Sequence, residues 1–314
     1  MIYTGNCLEV MSSLPEQSVH TCITSPPYWG LRDYGVEAQL GLESTPEEYV
    51  EKLVSVFREV RRVLRDDGTV WLNLGDSYAA ARSGHSHTAH GNVPRGEESY
   101  GDAHRIGLKH KDLCGMPWRV AFGLQADGWY LRQDIIWAKP NPMPESVRDR
   151  CTKSHEYLFL LSKSPRYYYD NEAIKEASVS QRASGNKNHK YVERYEETME
   201  ESTRHRTKAG LLESASKRWE SRNKRSVWTV PLRPYKGAHF ATFPPELIEP
   251  CVLAGCPRGG TVLDPFFGSG TTGLVSVRHA RKYVGIELSP EYAEIARKRL
   301  SAVQTAIDWS LACS

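Results

Sequence analysis

The chain is 314 residues long, with 39% hydrophobic and 25% charged residues and a formal net charge of +3. That length and composition belong to an ordinary globular protein with a core large enough for an enzyme, and they exclude a peptide hormone, a coiled coil or a disulfide miniprotein. The seven cysteines are odd in number and include no C-x-x-C pair, so they read as reduced, mostly buried thiols, neither a disulfide framework nor a zinc cage.

The longest uninterrupted apolar run, residues 157–161, is far shorter than the roughly 20 residues of a membrane helix. Residues 1–6 lack the basic and apolar regions of a secretory signal, so a cytoplasmic protein is expected. Residues 19–24 read as a buried strand that must leave its sheet at Ser25-Pro26-Pro27, because consecutive prolines cannot donate ladder bonds. Thr45-Pro46-Glu47-Glu48 is a capping box, and Val50, Leu53, Val54, Phe57, Val60 and Leu64 continue an amphipathic helix toward Gly68. A strand over 69–74 completes a strand, helix, strand order that favours a parallel α/β sheet.

Residues 82–111 interrupt the pattern with glycine, serine and five of the eleven histidines, as an exposed loop would. A helix is expected near 118–125 and strands near 131–137 and 156–161. Residues 171–225 then carry thirteen Lys or Arg against nine Asp or Glu with almost no apolar period. Such a segment is a solvated insertion or a surface that meets phosphates. Beyond it come a helix over 245–253, a strand over 260–263, a helix over 271–279 and a strand over 282–287. The last helix is capped by Ser289-Pro290-Glu291 and carries Tyr292, Ile295, Ala296 and Leu300 on one face. The organisation is therefore three-part: 1–170, an insertion over 171–226, and 227–314.

Two segments carry chemistry. Val262-Leu263-Asp264-Pro265-Phe266-Phe267-Gly268-Ser269-Gly270-Thr271-Thr272-Gly273 is a strand that turns through glycines into a helix, whose free N–H groups suit a carboxylate or phosphate. No Lys follows the glycines, which argues against a P-loop holding a triphosphate; a merely packed turn is the plain alternative. Glu287, about twenty positions on at the end of the next strand, is placed to accept from ribose hydroxyls, or else simply caps a helix. An adenosine-bearing cofactor without a polyphosphate fits both, and S-adenosyl-L-methionine is such a molecule. The other segment is Thr24-Ser25-Pro26-Pro27-Tyr28-Trp29-Gly30, in which a stiffened carbonyl, a hydroxyl and an aromatic face form a socket for an exocyclic amine on a planar ring. A bare S-P-P would otherwise be a proline-stiffened turn.

Together, S-P-P-Y near the start and D-P-F-x-G-S-G-T near the end resemble the amino-group DNA methyltransferases in the permuted order called the β class. Residues 128–142 and 154–163, His239-Phe240-Ala241-Thr242-Phe243-Pro244, and Tyr3-Thr4-Gly5-Asn6-Cys7 are similar to further family segments, so that about four-fifths of the chain is covered. The resemblance implies a Rossmann-like, mostly parallel, seven-stranded α/β sheet, circularly permuted, with the catalytic half in 1–170 and the cofactor half in 227–314. It assigns Ser25, Pro26, Pro27 and Tyr28 to catalysis. Asn6, His239, Asp264, Phe266, Gly268, Gly270, Thr271, Thr272 and Glu287 fall to S-adenosyl-L-methionine, whose product is S-adenosyl-L-homocysteine, with no metal. Asn6 departs from the family, which usually has Gly-Asp there; the amide keeps an acceptor oxygen but loses the charge.

The implied reaction is direct methyl transfer to the exocyclic amine of a flipped-out base in double-stranded DNA, with Ser25 and Pro26 accepting from the amine and Tyr28 stacking on the ring. S-P-P-Y tends to accompany cytosine N4 in this family and D-P-P-Y adenine N6, so cytosine N4 is favoured and adenine N6 is the alternative. A non-catalytic DNA-binding regulator and an RNA or protein methyltransferase are the other readings. The basic insertion is the candidate for target recognition, against the plainer reading of a solvated charged hairpin. The setting implied is a prokaryotic or phage-infected cell, nucleoid-associated, where a cognate restriction endonuclease would not be a required subunit. His85, His87 and His90 read as part of a DNA-clamping loop more readily than as metal ligands. Glu16, Asp33 and Asp76, near strand ends, read as solvated carboxylates.

Overall fold

The computed structural model describes residues 1–31, 35–36, 39–79, 107–178, 221–233 and 243–312, with side chains on the last helix described to residue 303. In chain order the elements are β1 (Ile2–Thr4), α1 (Cys7–Ser12), β2 (Val19–Thr24), α2 (Pro46–Val63), β3 (Leu64–Leu74), α3 (Met116–Ala126), β4 (Tyr130–Ala138), β5 (His155–Ser162), β6 (Glu176–Ala177) and β7 (Ser221–Arg222). They continue with β8 (Val227–Thr229), α4 (Pro245–Gly255), β9 (Thr261–Asp264), α5 (Thr271–Arg278), β10 (Lys282–Glu287) and α6 (Pro290–Ala312). The chain divides into one compact unit of residues 1–173 with 225–314 and another of 174–224. Within the smaller unit β6 pairs antiparallel with β7, and Arg222 Nε donates to Glu176 Oε1 at 2.8 Å.

The larger unit is built on one sheet in the order β1-β10-β9-β2-β3-β5-β4-β8. The first five strands of that order run parallel, β5 is antiparallel to both β3 and β4, and β8 is parallel to β4. Among the described residues the sheet thus has eight strands, where seven were expected. The edge strands β1 and β8 are three residues each and carry too little pattern to read locally. They exist by pairing with remote partners, Ile2 opposite Gly285 and Val227 opposite Ile136.

Helix α2 begins as expected: the Thr45 hydroxyl accepts from Glu48 N at 3.2 Å, and Glu48 Oε2 accepts from Ser44 N at 3.1 Å. Its stripe of Tyr49, Leu53, Val56, Phe57, Val60 and Val63 shares a core with Cys22, Val70, Leu72, Phe159 and Leu161 of the sheet. The helix stops at Val63 and does not run on toward Gly68. Leu64 turns extended and stays buried, and residues 65–68 form a bulge, since Val19 pairs with Leu64 but Thr21 with Thr69. On the opposite face α4 buries Leu247, Ile248, Cys251 and Val252, while Trp71 stacks on Tyr169 with centroids 6.2 Å apart. Cys22, Cys114, Cys251 and Cys256 are buried, Cys7 partly so, and Cys151 is exposed; Cys313 lies outside the described residues. Among the described residues no helix is long and apolar enough to cross a membrane.

The functional geometry starts between β2 and β9, which pair through Thr21 with Val262 and Cys22 with Leu263. The chain leaves β2 toward α2 and β3 in one direction and leaves β9 toward α5 and β10 in the other, so the two following loops part and open a crevice at the carboxyl ends of the strands. A buried carboxylate fastens the floor of that crevice. Asp264 Oδ1 accepts from Thr24 Oγ1 at 2.6 Å and from Phe266 N at 3.0 Å, and Oδ2 accepts from Thr272 Oγ1 at 2.6 Å.

Burial, opposed by these three donors, raises the Asp264 carboxyl from the ordinary 3.8 to about 6. Folding therefore binds a proton between those values: the Asp264 contribution to stability is fully present below the lower value and is lost as pH rises through the upper one. Asp264→Asn should remove that dependence, so that the stability difference between wild type and variant changes by about 2 kcal/mol between pH 4 and pH 7 in urea melts. A pH-independent difference would mean that Asp264 titrates as it does in the unfolded chain.

Candidate active site

Ser25, Pro26, Pro27 and Tyr28 leave the end of β2 in a loop that is fastened from several sides. Tyr49 OH donates to Pro27 O at 2.7 Å, Trp29 Nε1 to Glu43 O at 2.9 Å, and Gly30 N to Gly41 O at 2.8 Å. Gly75, just past β3, has no side chain because the Tyr28 ring lies against it; a Cβ there would meet the ring at 2.6 Å.

Tyr28 does not stand alone. Its hydroxyl has two acceptors in reach, Glu156 Oε2 at 2.7 Å and Asn73 Oδ1 at 3.2 Å, of which the shorter is Glu156, and it receives Ser25 Oγ–H at 3.4 Å. Asn73 Nδ2 donates to Glu156 Oε2 at 3.2 Å and to Tyr157 O at 3.0 Å, and Lys139 Nζ closes the network by pairing with Glu156 Oε1. Burial and then the Glu156 charge push the Tyr28 hydroxyl well above its ordinary range, so it stays a donor. Nearby, burial lowers the Lys153 ammonium, whose Nζ donates to Asp76 O at 2.7 Å.

Across the crevice, Gly268 and Gly270 adopt φ of +52° and +81°, the left-handed region that lets the chain turn straight into α5. Glu287 holds this turn: Oε2 accepts from Gly268 N at 2.7 Å and Oε1 from Ser289 N at 2.9 Å, while burial raises its carboxyl. Arg299 Nη1 donates to Ser269 O, Ser269 Oγ and Thr271 Oγ1 at 3.0–3.2 Å. Asn6 caps α1, its Oδ1 accepting from Leu8 N at 2.9 Å.

A cavity of about 890 Å³ joins the two sides. Ser25, Pro26, Pro27 and Tyr28 line it together with Asn6, Phe266, Gly268, Thr271 and Glu287, residues drawn from opposite ends of the chain. Asp264, Gly270 and Thr272 do not reach it; they stand behind the wall, with Asp264 and Thr272 about 1% exposed, and shape the turn. His239 and Asp33 lie outside the described residues, as do His85, His87 and His90 and most of the 171–226 insertion. Of the other carboxylates, Glu16 is exposed, but Asp76 is engaged: Oδ1 accepts from Ser77 N at 2.9 Å and Met116 N at 3.0 Å at the start of α3. Asn73, Lys139, Lys153 and Glu156 line the cavity without having been singled out. The available signal was a lone amide inside the apolar run Val70-Trp71-Leu72-Asn73-Leu74 and a lone acid opening the apolar β5.

Among the described residues no group of three or more His, Cys, Asp or Glu is arranged to hold a metal. The cavity chemistry suits an adenosine-bearing ligand: a carboxylate at the end of β10, free N–H groups at the start of α5 and an aromatic wall at Phe266.

A family model described as DNA methylase, of the N6 and N4 type, matches residues 19–298. The Type II methyltransferase M.Cfr9I of Citrobacter freundii is 47% identical over 306 residues, covering 98% of this chain and 89% of that protein. M.SmaI of Serratia marcescens, also a Type II methyltransferase, is 46% identical over 300 residues, covering 95% and 90%. Among solved structures, the cytosine-N4-specific PvuII DNA methyltransferase has a TM-score of 0.62 at 20% identity, covering 94% of this chain and 84% of that one, and so shares the fold.

Gly75→Ala should force the Tyr28 ring off its seat and cost about 1–3 kcal/mol in urea melts, with the ring displaced in a crystal structure of the variant. An unchanged melting midpoint and an undisturbed ring would mean that the loop yields freely. The match over residues 19–298 and the relative of nearly half identity along nearly the whole chain establish that the chain belongs to the DNA methylase family.

Proposed function

We propose that this methylase transfers the methyl group of S-adenosyl-L-methionine to the exocyclic N4 amine of cytosine in a base flipped out of double-stranded DNA. The observation that carries this reading is that the Ser25–Tyr28 loop and the glycine turn, from opposite ends of the chain, face one cavity large enough for a cofactor and a base side by side. When bound there, the sulfonium supplies an electrophilic methyl group. The protein's part is to hold the amine in line and to sharpen its nucleophilicity.

Ser25 is oriented for that. Its proton points to Tyr28, which leaves the Oγ lone pairs to accept from an amine N–H, and the Pro26 carbonyl adds a second acceptor. Two acceptors on the two N–H groups draw density onto a nitrogen whose lone pair is otherwise delocalised into the ring. Glu287 keeps lone pairs for ribose hydroxyls beside its two backbone donors, and Asn6 keeps one of its Oδ1 lone pairs for the adenine amine. Phe243 and Phe266 line the apolar part of the cavity. The cytosine-N4 specificity of the PvuII enzyme and the hydroxyl at position 25 both support cytosine; adenine N6 is the alternative. The insertion over 171–226 is assigned target recognition, and the named relatives support a role in a restriction-modification system.

The test is mass spectrometry of nucleosides from varied DNA incubated with the protein and S-adenosyl-L-methionine, beside a Ser25→Ala, Tyr28→Ala double variant. N4-methylcytosine should form with the wild type and fall by about 10²–10³-fold with the variant. N6-methyladenine would overturn the reading of Ser25, and no DNA methylation at all would overturn the proposal.

A further inference from the structure

Methylating an amine leaves a proton to dispose of inside a cavity walled by protein, and the hydrogen bonds around Tyr28 run in one direction away from that point. Ser25 Oγ–H points to the Tyr28 oxygen, and Tyr28 O–H points to Glu156 Oε2 at 2.7 Å. Glu156 is the acceptor at the end of the line. Its side chain is only 16% exposed, and the buried ammonium of Lys139, 14% exposed, pairs with its other oxygen. Asn73 Nδ2 also donates to Oε2, so the acceptor oxygen is fixed in place from β3 as well as from the loop.

Resting on the amine-transfer reading above, we propose that Glu156 is the proton acceptor of the reaction, reached from the target amine through the Ser25 and Tyr28 hydroxyls. The nitrogen lone pair forms the new N–C bond while the sulfur–carbon bond breaks, its electron pair staying on sulfur. The nitrogen, now cationic, gives a proton to Ser25 Oγ, and the N–H electron pair returns to nitrogen. Ser25 passes its own proton to Tyr28, and Tyr28 passes its own to Glu156, which becomes a neutral carboxylic acid. Both hydroxyls end as they began, and Glu156 returns the proton to water after the products leave.

The direction of the chain matters to this assignment. Were Tyr28 to donate to Ser25 instead, one Oγ lone pair would be taken up and the serine proton would no longer lead to Glu156. The Tyr28 hydroxyl keeps its proton because burial and the neighbouring carboxylate disfavour the phenolate, so it acts as a conduit and not as the base. The charged groups near Glu156 are Lys139 at the end of β4 and Lys153 on the approach to β5, and Tyr28 is the titratable group that meets it from the loop after β2.

The experiment compares the wild type with Glu156→Gln, which keeps the shape and an acceptor oxygen but removes the basic carboxylate. Glu156→Gln, Lys139→Met removes both charges and serves if the single change leaves an unpaired ammonium that unfolds the protein. Single-turnover methyl transfer to DNA should fall by about 10–100-fold in either variant, with the dissociation constants for DNA and S-adenosyl-L-methionine within about twofold of wild type. The wild-type rate should rise with pH to a plateau, and that acid limb should vanish in the variants. Tyr28→Phe should cost a similar factor and add little on top of Glu156→Gln, as members of one relay do. Infrared difference spectra across one turnover should gain a protonated-carboxyl band in the wild type alone.

A variant with the wild-type rate would overturn the relay while leaving the methyltransferase reading standing. So would a slow variant that keeps the wild-type acid limb, because Glu156 would then only position Tyr28. A wild type that binds DNA but methylates none would overturn the relay together with the reading it rests on.

Discussion

Everything in the site depends on one buried carboxylate. Asp264 takes its three hydrogen bonds from Thr24, the last residue of β2, from Phe266 N in the turn after β9, and from Thr272 in the first turn of α5. An ionised group removed from water costs several kcal/mol unless it is fully satisfied, so each donor is held as firmly as the acceptor. Because Ser25 follows Thr24 directly, the same carboxylate sets both where the Ser25–Tyr28 loop begins and where the glycine turn begins. The strand permutation leaves those two starting points 240 residues apart in the chain and adjacent in the sheet.

On that floor the walls are preorganised by their own hydrogen bonds. Tyr49 holds the loop at the Pro27 carbonyl, Gly75 makes room for the Tyr28 ring, and Glu287 ties the end of β10 to the backbone of the turn. Groups that would meet a ligand are thus largely held before one arrives, which lowers the ordering cost of binding and of in-line geometry. The polar chain from Ser25 through Tyr28 to Glu156 and Lys139 runs along the opposite edge, where β3, β4 and β5 bring Asn73, Lys139 and Glu156 together through antiparallel pairing around β5.

Much of this architecture was legible in the amino acids. The Thr45 cap and the stripe of α2, the proline exit from β2 and the glycine turn into α5 are local patterns, and local patterns survive folding. What was not legible depends on distance in the chain. The edge strands β1 and β8 have no signature at three residues, and the end of α2 at Val63 is decided by Leu64 pairing with Val19. The resemblance groups Asp264 and Thr272 with the cofactor residues, and it cannot tell the cavity side of the turn, at Phe266 and Thr271, from its back, where these two stand. The Glu156 network went unseen because Tyr28, Asn73, Lys139 and Glu156 come from separate strands and the loops that follow them, and only the sheet register brings them together.

In the proposed reaction methyl donor and target base share the one cavity, with the amine at the Ser25 and Pro26 corner. A crystal structure of the protein with S-adenosyl-L-homocysteine and a duplex containing the target sequence tests it most directly. The account predicts a flipped cytosine whose N4 lies within hydrogen-bond distance of Ser25 Oγ and Pro26 O, with the ribose of the cofactor product against Glu287. A base that stays stacked in the duplex, or a cofactor product bound away from the Gly268 turn, would contradict it.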